Sequence, residues 1–339
     1  MTQIEGSRVL VTGGAGFIGS HLVDALVEQD AASVVVVDNL VTGTEDNLEG
    51  ALNDPRVRLD TADARESEHL EALLAETDVV FHLACLGVRH SLHDPHENHD
   101  VNATLSLTLV EQARRAGVRR YVHVSSSEVY GSAQYAPMDE GHPTFPETVY
   151  GASKLAGEAY ARAAFRTHGF PALVVRPFNA YGPRSHFEGD SGEVIPRTIV
   201  RALCDEAPII YGDGEQSRDF THVTDTARGI IALAESDEAI GQTVNVGSGA
   251  DITINRLASV VTAAAGREDL LPMHLEPRPG DVRRLLAESS QMTAMTGYAP
   301  RVDFDDGVRD LVEWFRSRPT SPQEMLARIE DRNWEKVPR

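Results

Sequence analysis

Short apolar runs recur along the first half of the chain, with amphipathic segments between them. RVLVTG (8 to 13) reads as a buried strand; a glycine turn follows, then residues 17 to 29 with apolar positions at helical spacing. SVVVVDNL (33 to 40) comes next, and the alternation continues through RVRLDTAD (56 to 63), a helix near 66 to 75, and DVVFHLAC (78 to 85). A long helix from about 98 to 116, the strand RYVHVSSS (120 to 127), a helix from about 150 to 168 and the strand PALVVRP (171 to 177) complete this half. Runs that are β-branched and continuously apolar belong to strands covered on both faces, so the expected class is α/β, a doubly wound and mostly parallel sheet.

After residue 178 the pattern becomes irregular, with Pro or Gly at 182, 183, 189, 192 and 196 and two later strand-like pieces, PIIYG (208 to 212) and QTVNVGSG (242 to 249). The expected division is a sheet domain of residues 1–178, to which the chain returns at about 219–247, and a smaller mixed α/β lobe of 179–218 and 248–339. Residues 322 to 335 read as a terminal amphipathic helix that packs or contacts a partner.

Composition narrows the function. A chain of 339 residues with a net charge of −21 does not bind nucleic acid or an anionic membrane through charge, because those partners demand clustered Lys and Arg. A small anionic ligand remains compatible, since a helix N-terminus and a few arginines hold phosphate locally. The two cysteines, Cys85 and Cys204, lack metal-type spacing, and no run approaches membrane-spanning length, so a cytoplasmic protein is expected. His90, His93, His96 and His99 recur every third residue around Pro95 without an accompanying Cys, so no metal is expected.

In TGGAGFIG, Gly13, Gly16 and Gly19 close a strand and open a helix. Gly13 permits the tight turn, Gly16 lets backbone approach a pyrophosphate, and Gly19 allows close helix packing, which makes the first half a Rossmann domain. Asp38 ends the second strand, where a carboxylate accepts both ribose hydroxyls and repels a 2′-phosphate; Asn39 and Leu40 follow it, not an arginine pair. The expected cofactor is therefore NAD. Asp63, ending the third strand, is a candidate for the adenine edge.

Tyr150 and Lys154 stand four apart in YGASK at the start of a predicted helix, hence on one face. Only Lys154 and Lys336 are lysines in the whole chain. An ammonium beside a phenol favours phenolate and makes the tyrosine a base near neutrality. Upstream, SSSEVYG (125 to 131) crowds hydroxyls and a carboxylate at a strand end, where an extended period of two puts Ser126 and Glu128 on the same side.

At these residues the chain resembles the extended short-chain dehydrogenase/reductase family, specifically its nucleotide-sugar epimerases and dehydratases. The resemblance runs from about residue 8 to 315 through TGGAGFIG, the Asp38 strand end, FHLA, VNA, SSSEVYG, YGASK, RPFNAYGPR, YGDGEQSRDFTHVTD, NVGSG and RPGD, a highly specific set. It implies a 4-keto sugar intermediate: Tyr150 takes the C4 hydroxyl proton, Ser126 hydrogen-bonds that oxygen, Lys154 holds the nicotinamide ribose and tunes Tyr150, and NAD accepts the hydride. It implies cofactor contacts from Gly13, Gly16, Phe17, Ile18, Gly19, Asp38, Asn39, Asp63, Ala84, Asn102 and Pro177. Toward the nucleotide-sugar substrate it implies Ser126 and Ser127, Arg89 at the hexose, Asn179, Val194 and Ile195 at the nucleobase, Arg197 and Tyr211, Arg218 and Arg278 at the diphosphate, and Asp281. A homodimer built on the helices near 98 to 116 and 150 to 168 is implied as well.

Three outcomes share that intermediate. A 4-epimerase needs only rotation of the sugar and return of hydride, whereas a 4,6-dehydratase must also remove the C5 proton and expel the C6 hydroxyl, for which a carboxylate is suited. Glu128 matches the Thr-Ser-Glu triplet of GDP-mannose 4,6-dehydratases and UDP-glucuronate decarboxylases, while Ser127 departs from the acid of dTDP-glucose 4,6-dehydratases. The expected order is dehydratase, 4-epimerase, decarboxylase. A non-catalytic NAD-binding regulator on the same fold is the alternative from another class.

Overall fold

The computed structural model describes residues 3–278 and 282–332. The six apolar runs of the first half become β1 (Arg8–Thr12), β2 (Ser33–Asp38), β3 (Val57–Thr61), β4 (Val79–His82), β5 (Arg120–Val124) and β6 (Ala172–Pro177). Between them lie α1 (Phe17–Glu28), the short α2 (Glu49–Leu52), α3 (Ser67–Leu74), α4 (Val88–His93), α5 (Pro95–His99), α6 (Leu105–Ala116) and α7 (Val149–His168). A seventh strand, β10 (Thr243–Val246), joins β6 from the second half, and the order β10-β6-β5-β4-β1-β2-β3 is parallel at every pairing. Leu10, Val34, Val36, Val80, Phe81 and Val122 are fully buried, because helices cover both faces of the sheet. Each such side chain contributes roughly 1.5–3 kcal/mol by leaving water. The strand order reverses between β1 and β4, which opens a crevice beyond the carboxyl ends of the strands.

The second half contributes β7 (Asn179–Tyr181), α8 (Val194–Leu203), β8 (Ile209–Tyr211), β9 (Ser217–His222), α9 (Val223–Glu235), β10 (Thr243–Val246), β11 (Asp251–Thr253) and α10 (Ile254–Ala264). It ends with β12 (Met273–Leu275), β13 (Arg284–Leu285), α11 (Ser290–Thr296), α12 (Phe304–Arg316) and α13 (Pro322–Leu326). β7, β9, β11 and β13 form a small mixed sheet, β8 pairs β12, and Ile199, Leu257, Val261, Val308 and Leu311 fill a separate core beneath them.

Four local details differ from the pattern of the sequence. The chain's return to the large sheet starts at α9 and not at 219, since β9 pairs only within the small sheet. Met292 of α11 sits in the core of the large sheet, so part of the segment after 248 also belongs to that domain. The helix expected from 98 begins at Pro95 and carries a π turn over Asp100–Thr104. The terminal helix is only α13, and residues 333 to 335 lie outside the described residues.

Candidate active site

A cleft of about 1220 Å³ crosses the carboxyl ends of the strands and continues under the small lobe. That exceeds the roughly 300–1,000 Å³ of a site for one small ligand, and suits two ligands end to end. At one end the wall is main chain. Gly13 has φ +74°, and a Cβ there would stand 2.5 Å from the Ala84 nitrogen and 2.7 Å from its Cα. A Cβ on Gly19 would run into the Gly13 carbonyl oxygen. Gly16 caps α1 with no side-chain hydrogen bond, so the amides of the first turn, at Phe17 and Ile18, have no side chain from this cap in front of them.

Asp38 is 8% exposed; its carboxylate accepts from the Ala15 and Leu40 amides, both at 2.9 Å, and so clamps the glycine turn it faces. Asp63 accepts from Arg65 at 2.6 Å and from Asn39 at 3.4 Å, and the Arg65 hydrogen bond chiefly holds its carboxyl down at about 2. Ala84 and Pro177 line the same groove. A cradle that a Cβ would fill, beside a carboxylate at the end of β2, fits a dinucleotide with an unphosphorylated ribose.

Asn102 departs from its expected role. It is buried off the cleft, where its amide accepts from Leu86 N and donates to Leu86 O, both at 2.9 Å, and donates to Asn98 at 3.0 Å. The π turn aims it at the loop after β4, so it shapes the groove from behind and contributes no contact surface. Arg65 was not singled out in the sequence; pairing with Asp63 two residues earlier was the signal for it.

The middle of the cleft holds the reactive groups. Thr148 caps α7 by accepting from the Gly151 amide at 3.1 Å, which sets Tyr150 in the first helical turn. Ser126 shares a hydrogen bond with the Tyr150 phenol, and the Glu128 carboxylate lies near enough for its charge to act on it. The geometry at Glu128 corrects the strand argument: β5 stops at Val124, residues 127 to 129 form a single 3-10 turn, and Ser126 Oγ accepts from the Glu128 amide at 3.2 Å. Ser126, Ser127 and Glu128 all reach the cleft because the turn curls around it.

Lys154 is tied to the end of β5. Its Nζ donates to the Val124 carbonyl at 2.7 Å and the side chain is 3% exposed. Tyr150 is held well above the ordinary phenol range, by burial first and then by its neighbours Cys85 and Glu128; the Ser126 hydrogen bond opposes them. One helical turn brings Lys154 below Tyr150, with the ammonium held by a strand-end carbonyl. The helix that carries both is pinned by Glu158, fully buried, which accepts from Arg176 at 2.6 and 2.8 Å and from Ser125 at 2.6 Å.

The far end of the cleft is walled by side chains from many elements. Arg89 comes from α4, Asn179 from β7, Val194, Ile195 and Arg197 from α8, Tyr211 from β8, Arg218 from β9, and Arg278 from the loop before β13. Arg218 donates to the carbonyls of Ser217 and Val282 at 2.8 and 2.6 Å, while Arg197 and Tyr211 both donate to the Asp331 carbonyl, at 3.0 and 2.5 Å. Asn179 Oδ1 is buried with no hydrogen-bond partner among the described residues. Asp281 lies outside the described residues. The arginines gather here although the chain as a whole is acidic.

A doubly wound sheet with a glycine cradle, a strand-end carboxylate, and a serine–tyrosine pair beside it defines a dinucleotide-dependent enzyme of sugar-sized substrates. The sequence profile of the NAD dependent epimerase/dehydratase family matches residues 9–247, and the chain belongs to that family. It is an NAD-dependent nucleotide-sugar enzyme. It is 35% identical to the dTDP-glucose 4,6-dehydratase of Actinoplanes sp., over 91% of this chain and 98% of that one. It is 33% identical to UDP-glucuronic acid decarboxylase 6 of Arabidopsis thaliana, over 93% and 91%. The solved structure of UDP-N-acetylglucosamine 4-epimerase from Methanobrevibacter ruminantium M1 superposes with a TM-score of 0.87 at 36% identity, covering 92% of this chain and 99% of that one. Among the described residues, no helix is long and apolar enough to cross a membrane, and no group of three His, Cys, Asp or Glu could hold a metal ion.

Proposed function

We propose that the protein is an NDP-hexose 4,6-dehydratase. The observation that carries this reading is the Glu128 carboxylate beside the Tyr150 phenol on the same cleft wall. Tyr150 receives the proton of the sugar's C4 hydroxyl, and Ser126 holds that oxygen. Bound NAD supplies the acceptor for the C4 hydride and, oxidised, a positive charge. Until that charge arrives Tyr150 keeps its proton, so the site does not deprotonate substrate without its cofactor. Glu128 then takes the C5 proton of the 4-keto sugar and delivers it to the C6 hydroxyl, which departs as water; the hydride would return to C6 while C5 regains a proton from solvent. Asn179, with its unpartnered oxygen, and the arginines at 197, 218 and 278 bind the sugar nucleotide, the guanidinium forks matching diphosphate oxygens.

The 4-epimerase is the second reading, favoured by one observation: position 127 is a buried serine, so no acid stands next to Glu128 to protonate the departing hydroxyl. Incubation with NAD and a panel of NDP-hexoses separates the two. A 4-keto-6-deoxy product, seen by absorbance in alkali and carrying solvent deuterium at C5, supports dehydration; a C4-inverted hexose without deuterium at C5 overturns it. A homodimer through α6 and α7 is part of the same reading, supported by the exposed Leu92, Leu107 and Val149 on α4, α6 and α7.

A further inference from the structure

The last described stretch of the chain braces the far end of the cleft from outside its wall. Ser321 and Glu324 pin the start of α13 by reciprocal hydrogen bonds, and Met325, 1% exposed, enters the small-lobe core beside Ile195 and Ile199. Beyond the helix the Arg328 carbonyl accepts from the Gly189 amide at 3.3 Å, and the Arg328 guanidinium lies over the Phe187 ring at 5.4 Å. These anchors deliver Asp331 to α8 and β8. Its carbonyl accepts from Arg197 Nη2 at 3.0 Å and from the Tyr211 hydroxyl at 2.5 Å. Its carboxylate accepts from Arg201 Nη2 at 2.6 Å, with Arg197 Nη2 3.6 Å from the same oxygen. Arg197, Arg201 and Tyr211 line the cleft, and Asp331, which does not, holds them from behind.

Arg197 and Arg201 stand four apart on α8, a spacing at which like charges repel. Each side chain is only 13% exposed, so water and salt screen that repulsion little. The bridging carboxylate offsets it. A guanidinium is a rigid planar fork, so a hydrogen bond at one nitrogen fixes where the others point.

We infer that Asp331 is a positioning residue for the nucleotide end of the cleft: it holds Arg197 and Arg201 together and aims their remaining donors at a nucleoside diphosphate. The inference rests on the nucleotide-sugar reading above, which supplies the anion, and it involves a segment beyond the residues 9–247 that the family profile matches. Without the bridge the two cations separate, and the ligand must order two long side chains as it binds.

Titration calorimetry on the NAD-loaded protein with UDP, dTDP and GDP tests it. For the diphosphate that the wild type binds most tightly, Asp331→Ala should weaken binding at least about fivefold, and a chain ending at Glu330, which loses the carbonyl as well, at least about tenfold, the scale of a charged hydrogen bond. Asp331→Glu keeps the bridging charge and should stay within about threefold of the wild type. Bound NAD should be unchanged throughout, and with a nucleotide sugar that is turned over, KM should rise by the same factor at constant kcat. Unchanged affinity in Asp331→Ala and the shortened chain, or a fall in kcat without a rise in KM, overturns the inference. Tighter binding in either would mean that Asp331 competes with the ligand for the arginines, and overturns it too. Failure of the wild type to bind any nucleoside diphosphate or nucleotide sugar overturns the nucleotide-sugar reading itself, a result distinct from a difference between wild type and variant.

Discussion

The cofactor end of the cleft is walled by backbone and the sugar end by side chains. At the first, Gly13, Gly19 and the amides opening α1 leave no freedom: a single added methyl meets main-chain atoms. At the second, Arg89, Glu193, Arg197, Tyr211 and Arg218 arrive from several helices and strands, and carbonyl partners lie far along the chain, as Asp331 does for Arg197 and Tyr211 and Val282 for Arg218. Backbone contacts recognise what every dinucleotide shares, the pyrophosphate and ribose. Side-chain contacts can be exchanged without disturbing the sheet, so substrate identity is carried there. Tyr150, Ser126 and Glu128 sit at the seam, on a helix start and a turn that the large sheet supports through Glu158 and Arg176.

The largest effect expected is at the seam. Tyr150→Phe should lower turnover by about 10³-fold, within the range for loss of general acid–base catalysis. Bound NAD, assayed by absorbance of the denatured supernatant, should be unchanged. Loss of NAD together with activity would mean that the seam is not separable from the cofactor end.

Glu128→Gln should reduce formation of the 4-keto-6-deoxy product by about 10²-fold while leaving transfer of the C4 hydride, read as transient absorbance of reduced nicotinamide in a single turnover. If both steps fall together, Glu128 serves oxidation and not elimination.

Gly13→Ala should cost about 1–3 kcal/mol from the left-handed backbone alone, measured by denaturant unfolding, and should also empty the cofactor end because the methyl lands on Ala84. Nucleotide-sugar binding at the other end, followed by calorimetry, should persist in the folded variant. Its disappearance would show the two ends to be coupled.

The smallest expected effect is a pH dependence at the sugar end. Burial raises Glu193 in the folded state to about 8 from an ordinary 4.5, so the folded protein holds a proton there that the unfolded chain releases. Its contribution is therefore unfavourable above the unfolded value and grows as pH rises from about 4.5 toward about 8. The melting temperature of the ligand-free wild type should fall relative to that of Glu193→Gln across this window. A difference that stays flat with pH would put the carboxylate in water.

What the sequence determined was whatever depends on neighbours along the chain. The six strands of the first half, the glycine turn into α1, Asp38 at the end of β2, and the four-residue spacing of Tyr150 and Lys154 all follow from local periodicity, and periodicity survives folding. The tertiary structure decided where side chains find partners. Lys154 points to the Val124 carbonyl, Asn102 turns away from the cleft to hold Leu86, and the serine-rich strand end curls into a turn. Each of these is a competition among distant donors, acceptors and desolvated charges, and its outcome is settled only when the sheet and the lobe have closed around the groove.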